Sequence, residues 1–528
     1  MTVENLVIDA RSPASVWASE LPETTCASLA HAALAFVDTA STSLGRATAY
    51  NDRAAQAAAE LRAHTELRTL DRRVYARLLG LPGVTDRARQ LGLVSLLGTP
   101  DPGASDEERL LLAHLASELP APRLFKLFAG LRLRAAPNED GLSLPRANNA
   151  RTRKLVLRTL LGASRLELWS VKYRDKMAAA LTHAWGVRIT SVLRAILAKE
   201  AWTTAEQALV RRTIDRFAEP TLLAETRACV AFALRATVAP SLPLHVAHAA
   251  AKVDLSAGAA LPIEVLEGLR ATFHKGVAKA EVLRVGKDSL TEGQRIRVQR
   301  RAEAAGVAVA FDPMAHDAVE LYLYAFARGL TPAIEAALDQ KADAVAARLG
   351  FGWDSVGVLV DASGSMAGSA EQALRPMAVT LALRDVLVRV APATVLTVGG
   401  VSEGRLVRPS GATALAEGLV TLVERSPDAL FVLSDGYENQ PAGRFAETVQ
   451  ALRAIGVQTP IYHLSPVFAA EVRGVRTLSP LASTLPVRAP AALGISFLRG
   501  LLESEPRRGL AALLALAPAP ALTKGGVA

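Results

Sequence analysis

Five oxygen-bearing side chains in the last third of the chain are spaced so that they could meet on one ion. The run Val356-Gly-Val-Leu-Val-Asp361-Ala-Ser363-Gly-Ser365-Met366 ends an apolar stretch on a carboxylate, and two hydroxyls follow at alternate positions. Thr413 adds a third hydroxyl in Ser410-Gly-Ala-Thr413-Ala-Leu415, and Asp435 a second carboxylate after Leu430-Phe-Val-Leu-Ser434. Carboxylate and hydroxyl oxygens are hard donors. They suit Mg²⁺ or Mn²⁺, whereas zinc prefers nitrogen and sulfur. Mg²⁺ demands near-octahedral geometry and keeps waters, so a few protein oxygens and one open position are chemically sufficient.

Each of these residues needs an element to hold it. The runs 356–361 and 429–434 read as buried parallel strands, with both carboxylates at or just past their C-terminal ends. The threonine lies in a Gly-containing loop that opens a helix. Asp-x-Ser-x-Ser, then Thr, then Asp, in this order and on these elements, resembles the metal-ion-dependent adhesion site of von Willebrand factor A (vWA) domains. The resemblance covers residues 351–505. It implies that Ser363, Ser365 and Thr413 hold the ion, and that Asp361 and Asp435 act directly or through water. It also implies an open position that takes a Glu or Asp from a protein ligand.

The surrounding pattern predicts the scaffold. From Gly352 we expect strand 356–361, helix 371–390, strand 394–399, a hairpin strand at 405–408, helix 414–425, strand 429–434, helix 443–455, strand 458–463 and helix 491–503. Alternating strands and helices make βαβ units and a doubly wound, mainly parallel, Rossmann-like sheet. Such sheets bind ligands at C-terminal strand ends where the winding reverses.

At 528 residues the chain has room for two or more domains. Aromatics are only 5% while half of the residues are apolar, a mixture that favours packed helices. Two cysteines, Cys26 and Cys229, do not make a disulfide framework or a Cys-based zinc site. The first residues lack a basic segment followed by an apolar one, and no uninterrupted apolar run approaches the ~20 residues that span a bilayer. We therefore expect a cytoplasmic chain without a membrane partner. Walker-type and Gly-x-Gly-x-x-Gly loops are missing, as are a Gly-x-Ser-x-Gly elbow and a Cys/His nucleophile pair. The sequence reads as a binding protein, not an enzyme.

Residues 1–25 read as an irregular lead-in and 506–528 as a tail. Between 26 and 350, apolar residues recur at three- and four-residue spacing, and helix starts are marked by Ser105-Asp-Glu-Glu108 and Thr203-Thr-Ala-Glu206. Thr291-Glu-Gly-Gln294 reads the same way, and Val307–Phe311 as a short strand. Helices of ordinary length with short breaks suggest a HEAT-like α-helical repeat; a compact, non-repetitive helical domain fits equally. The fold class expected is therefore α plus α/β.

The formal net charge of +9 is unevenly placed. Residues 121–200 hold 16 basic and only 5 acidic residues. Arg146, Arg151, Arg153, Lys154 and Arg158 lead to Lys172, Tyr173, Arg174 and Lys176, with Trp169 among them. Arginines with interleaved aromatics suit RNA, through phosphate contacts and base stacking; the alternative is a solvated helical face. A helical region of about 350 residues followed by a vWA domain resembles the Ro (TROVE) ribonucleoprotein family. The stretch Val171-Lys-Tyr173-Arg174-Asp-Lys176…His183-Ala-Trp185-Gly186 is similar to its pattern. The resemblance implies a ring of helical repeats that binds single-stranded or small structured RNA, closed by the vWA domain. The competing expectation is a protein-interaction adaptor, partner of an ATPase or another complex, without RNA.

Overall fold

The computed structural model describes residues 13–41, 53–81, 83–99, 106–132, 141–145, 147–236, 239–349, 353–467 and 475–516. Among them, residues up to Leu349 are helical, with no strand, and one parallel sheet with its own helices follows. Helix starts form where side chains satisfy the free amides. At Thr203 the hydroxyl accepts from Glu206 N while the Glu206 carboxylate accepts from Thr203 N. Thr291 and Gln294 form the same reciprocal cap; Ser105 lies outside the described residues. Val307–Phe311 is not a strand, since no neighbouring strand lies there to pair with it. No helix among the described residues is long and apolar enough to cross a membrane. Cys26 and Cys229 are buried free thiols.

Among the described residues there are seven strands, β1 (Val356–Asp361), β2 (Ala393–Val398), β3 (Val401–Glu403), β4 (Leu406–Arg408), β5 (Ala429–Leu433), β6 (Ile461–Ser465) and β7 (Ser483–Pro486). Five form a parallel sheet in the order β2-β1-β5-β6-β7, and β3 and β4 make a separate hairpin. β1 pairs with β2 from Val356 opposite Ala393 to Asp361 opposite Val398. On its other side it pairs with β5, Val358 opposite Phe431. The winding therefore reverses between β1 and β5.

Both strands are buried along their whole length, because helices cover both faces. The two-residue period separates the faces. Val356, Val358, Val360, Phe431 and Leu433 join a large core with helix Arg375–Val390 and the helical region. Leu359, Leu430 and Val432 join a smaller core with helices Leu415–Val423 and Arg444–Ala454.

Helices also stand where the sequence suggested irregular ends. Pro13–Glu20 and Pro506–Leu516 each begin with proline, whose missing N–H costs nothing at the first helical position. They pack against each other, and helices Leu493–Ser504 and Glu23–Ser41 pack beside them.

Candidate functional site

Three loops converge beyond the C-terminal ends of β1 and β5. Their backbones are stitched together: Gly364 N donates to Gly411 O at 3.0 Å, Ser410 N to Ala362 O at 2.9 Å, and Gly400 N to Ser410 O at 2.8 Å. The fit is close enough to need glycine. A Cβ on Gly400, whose φ is +70°, would lie 2.7 Å from that of Ala362.

Asp361, Ser363, Thr413 and Asp435 are buried, with Ser365 half-buried above them. Both oxygens of Asp361 are held by the protein. One oxygen accepts from Ser363 N at 2.9 Å and the other from the Ser434 hydroxyl at 2.6 Å. The hydroxyls of Ser363 and Ser365 are 3.2 Å apart. Thr413 is fixed through its backbone, its N–H donating to Asn439 Oδ1 at 3.1 Å. Asp435 Oδ1 accepts from Tyr437 N at 3.2 Å.

Two oxygens are left over. Thr413 Oγ1 and Asp435 Oδ2 are buried without a hydrogen-bond partner. Each such group costs about 1–3 kcal/mol. Burial and then the neighbouring charge of Asp361 push the Asp435 carboxyl up to about 7, against the opposing pull of Tyr437 N, Ser365 and Arg476. Burial likewise raises Asp361, opposed by Ser434 and Ser363. Two crowded carboxylates and three hydroxyls, with two of their oxygens orphaned, are a donor set that a small hard divalent cation would satisfy. Among the described residues no group of three or more His, Cys, Asp or Glu side chains is placed to hold a metal ion.

Sequence reasoning passed over the residues that hold the oxygen cluster in place. Ser434, Asn439 and the buried His463, which hydrogen-bonds to Ser434 O at 3.0 Å, position the cluster from behind. Burial keeps His463 neutral, its pKa lowered to about 4.

The basic segment is partly consumed within the fold. Arg146 lies outside the described residues. Arg151 pairs with Glu108 at 3.0 Å, a carboxylate shared with Arg72. Lys172 pairs with Glu264 at 2.9 Å. Arg174 donates to Phe232 O at 2.9 Å and covers that ring at 4.1 Å. Tyr173 and Trp169 both pack on Phe125, at centroid distances of 4.9 and 6.0 Å. Arg153, Lys154 and Arg158 are exposed, and Arg153 donates to Asn148 Oδ1. Arg153 and Lys154 border a cleft of about 440 Å³ with Arg216 and Phe217. Exposed Lys176 sits between two further clefts, of about 300 and 560 Å³. The first adds Lys126, Arg132 and His183, which are not among the individually named RNA-contact candidates. Compared with known proteins, the chain matches no family model and no curated sequence.

Proposed function

We propose that the chain is a Ro-like RNA-binding protein whose C-terminal part is a vWA-type ligand-binding unit for Mg²⁺ or Mn²⁺. The observation that carries the metal reading is the pair of buried, unpartnered oxygens, Thr413 Oγ1 and Asp435 Oδ2, at the reversal point of the sheet. Ser363, Ser365, Thr413 and Asp435 would hold the ion. Asp361, whose two oxygens each accept one hydrogen bond, from Ser363 N and from Ser434, would support it through a water on a remaining lone pair. When bound, the ion supplies positive charge for an incoming carboxylate of a protein ligand. The role is adhesion, not catalysis.

The helical region contributes the RNA surface, through Arg153, Lys154, Arg158 and Lys176. A closed, HEAT-like arrangement draws support from the two seams between the helical region and the sheet unit. One joins Arg499 to Asp38 at 2.7 Å, the other Arg405 to Asp339 at 2.8 Å. The adaptor reading has its own support: Arg151, Lys172 and Arg174 are engaged inside the fold. A salt titration of RNA binding separates the two.

Calorimetry tests the metal site. Asp361→Ala should abolish Mg²⁺ and Mn²⁺ binding while the far-ultraviolet circular dichroism of the helical region is retained. An unchanged affinity overturns the assignment.

A further inference from the structure

Beside the oxygen cluster lies a cation that the reading above does not use. Gly436, directly after Asp435, has φ +83°, and a Cβ there would lie 2.9 Å from Arg476 O and 3.1 Å from Arg476 Cγ. The Arg476 side chain therefore rests on the peptide that follows the second carboxylate. Its guanidinium lies over the Tyr437 ring, 4.3 Å from the centroid. Stacking on a ring orients the planar head and weakens its dependence on water. Its Nε is buried and has no hydrogen-bond partner.

We propose that Arg476, held on Tyr437, is a recognition residue that grips the carboxylate taken up at the metal centre. The proposal rests on the metal reading. A carboxylate has two oxygens, one for the ion and one for the guanidinium, and charge-assisted hydrogen bonds of this kind are about twice as strong as neutral ones. Charge decides between anions. Asp361 and Asp435 offset a divalent ion, and Arg476 leaves one positive charge over. That balance matches a monoanionic carboxylate and leaves a phosphate dianion with an excess negative charge in a buried site.

The test uses the full chain in two steps. Calorimetry first measures Mn²⁺ binding by wild type, Arg476→Gln, Arg476→Lys and Tyr437→Leu. Fluorescence anisotropy then follows a labelled peptide with a single glutamate, and its glutamine counterpart, in Mn²⁺ or in EDTA. We expect all four proteins to bind Mn²⁺. Wild type should bind only the glutamate peptide, and only with Mn²⁺. Arg476→Gln should weaken that binding at least about tenfold. Arg476→Lys should lie between, and Tyr437→Leu should weaken it by loosening the head. Thermal melts identify any variant that fails to fold, and the remaining two then decide. Equal glutamate-peptide affinity in wild type and the folded variants overturns the proposal. So does a wild type that binds Mn²⁺ but not the peptide, or one in which inorganic phosphate binds more tightly. Wild type that takes up no Mn²⁺ refutes the metal reading itself.

Discussion

A buried hydroxyl without a partner destabilises the fold unless something else occupies its lone pairs, and Thr413 is such a residue. Thr413→Val keeps the shape and removes the unsatisfied oxygen. In EDTA the variant should be as stable as wild type or more so, by up to about 1–3 kcal/mol. With Mn²⁺, the rise in melting temperature expected for wild type should shrink, because that rise follows ion affinity. The opposite pair of results, lower stability in EDTA and an undiminished Mn²⁺ shift, would make Thr413 a packing residue. His64 offers a pH-dependent counterpart far from the cluster. It is buried, with Nδ1 2.6 Å from the Tyr75 hydroxyl and its ring edge-on to Phe36. Burial first, and then the charge of Arg87, lower its pKa from 6.5 to about 3. The unfolded chain therefore binds the proton more readily than the folded one. This contribution to stability is complete above pH 6.5 and is lost as the pH falls toward 3. By pH 5 the loss is roughly 2 kcal/mol. Thermal melts from pH 7.5 to 4.5 should show a shallower acid slope for His64→Gln than for wild type; equal slopes would remove His64 as a cause. Sequence spacing made Asp361, Ser363 and Ser365 legible, because a strand end and a tight turn keep neighbours together. Ser434, Asn439 and Arg476 were not legible, since only the fold carries them to positions beside residues 73, 26 and 40 places away.

At the scale of elements, β1 and β5 could be read because central strands of a covered sheet must be apolar throughout. β7 was missed: four residues ending in proline carry too little periodicity to separate from a loop. The terminal helices were missed because Pro13 and Pro506 read as breaks, although proline also suits a first turn. The hairpin β3–β4 does more than connect. Its turn residue Arg405 donates to Tyr322 at 2.9 Å, to Asp385 at 2.5 Å and to Asp339 at 2.8 Å, and Arg384 donates to Asp385 at 2.8 Å. Tyr322 itself donates to Asp385. This cluster ties the strand pair that leads into the Thr413 loop to helices Ala318–Arg328 and Pro332–Leu349. Asp385 is 7% exposed, and Arg384 and Arg405 are 14% and 16% exposed. Asp385→Ala removes the carboxylate that Arg384 and Arg405 share, while Arg405 keeps Asp339, so urea denaturation should report a loss of about 1.5–3 kcal/mol. Hydrogen exchange should rise over residues 401–413. The hairpin pair Glu403–Arg408, near half-exposed on both sides, provides the contrast. Glu403→Ala should cost less than about 1 kcal/mol. Similar losses for the two substitutions would show that the cluster is no more than a surface network.

For the molecule as a whole, charge and connectivity point in different directions. A dense core runs from Ala14 to Leu514, and the sheet unit meets the helical region at both of its ends. The positive excess stays in residues 121–200, away from the oxygen cluster in sequence. Composition alone could locate that excess but could not show which cations are already used. The structure sorts them. Arg151 shares the nearly buried Glu108 with Arg72, and Arg174 is committed to Phe232. Arg153 and Lys154 face the cleft that Arg216 completes. Phosphate contacts position a nucleic acid without reading its sequence, and each releases counterions on binding. Replacing both Arg153 and Lys154 by Glu should therefore weaken binding to unrelated RNAs alike. The slope of log affinity against log salt should flatten by roughly one to two units. Melting temperature should stay near that of wild type, because both side chains are exposed. Arg151→Glu should behave in reverse. It places a second carboxylate beside Glu108, so stability falls, while the salt slope of the protein that remains folded is kept. Filter binding from 50 to 300 mM salt, with thermal melts of the same samples, measures both quantities. If the double reversal leaves affinity and slope unchanged, the cleft does not bind phosphate backbones. The basic helices are then a solvated face, and the adaptor reading replaces the RNA one.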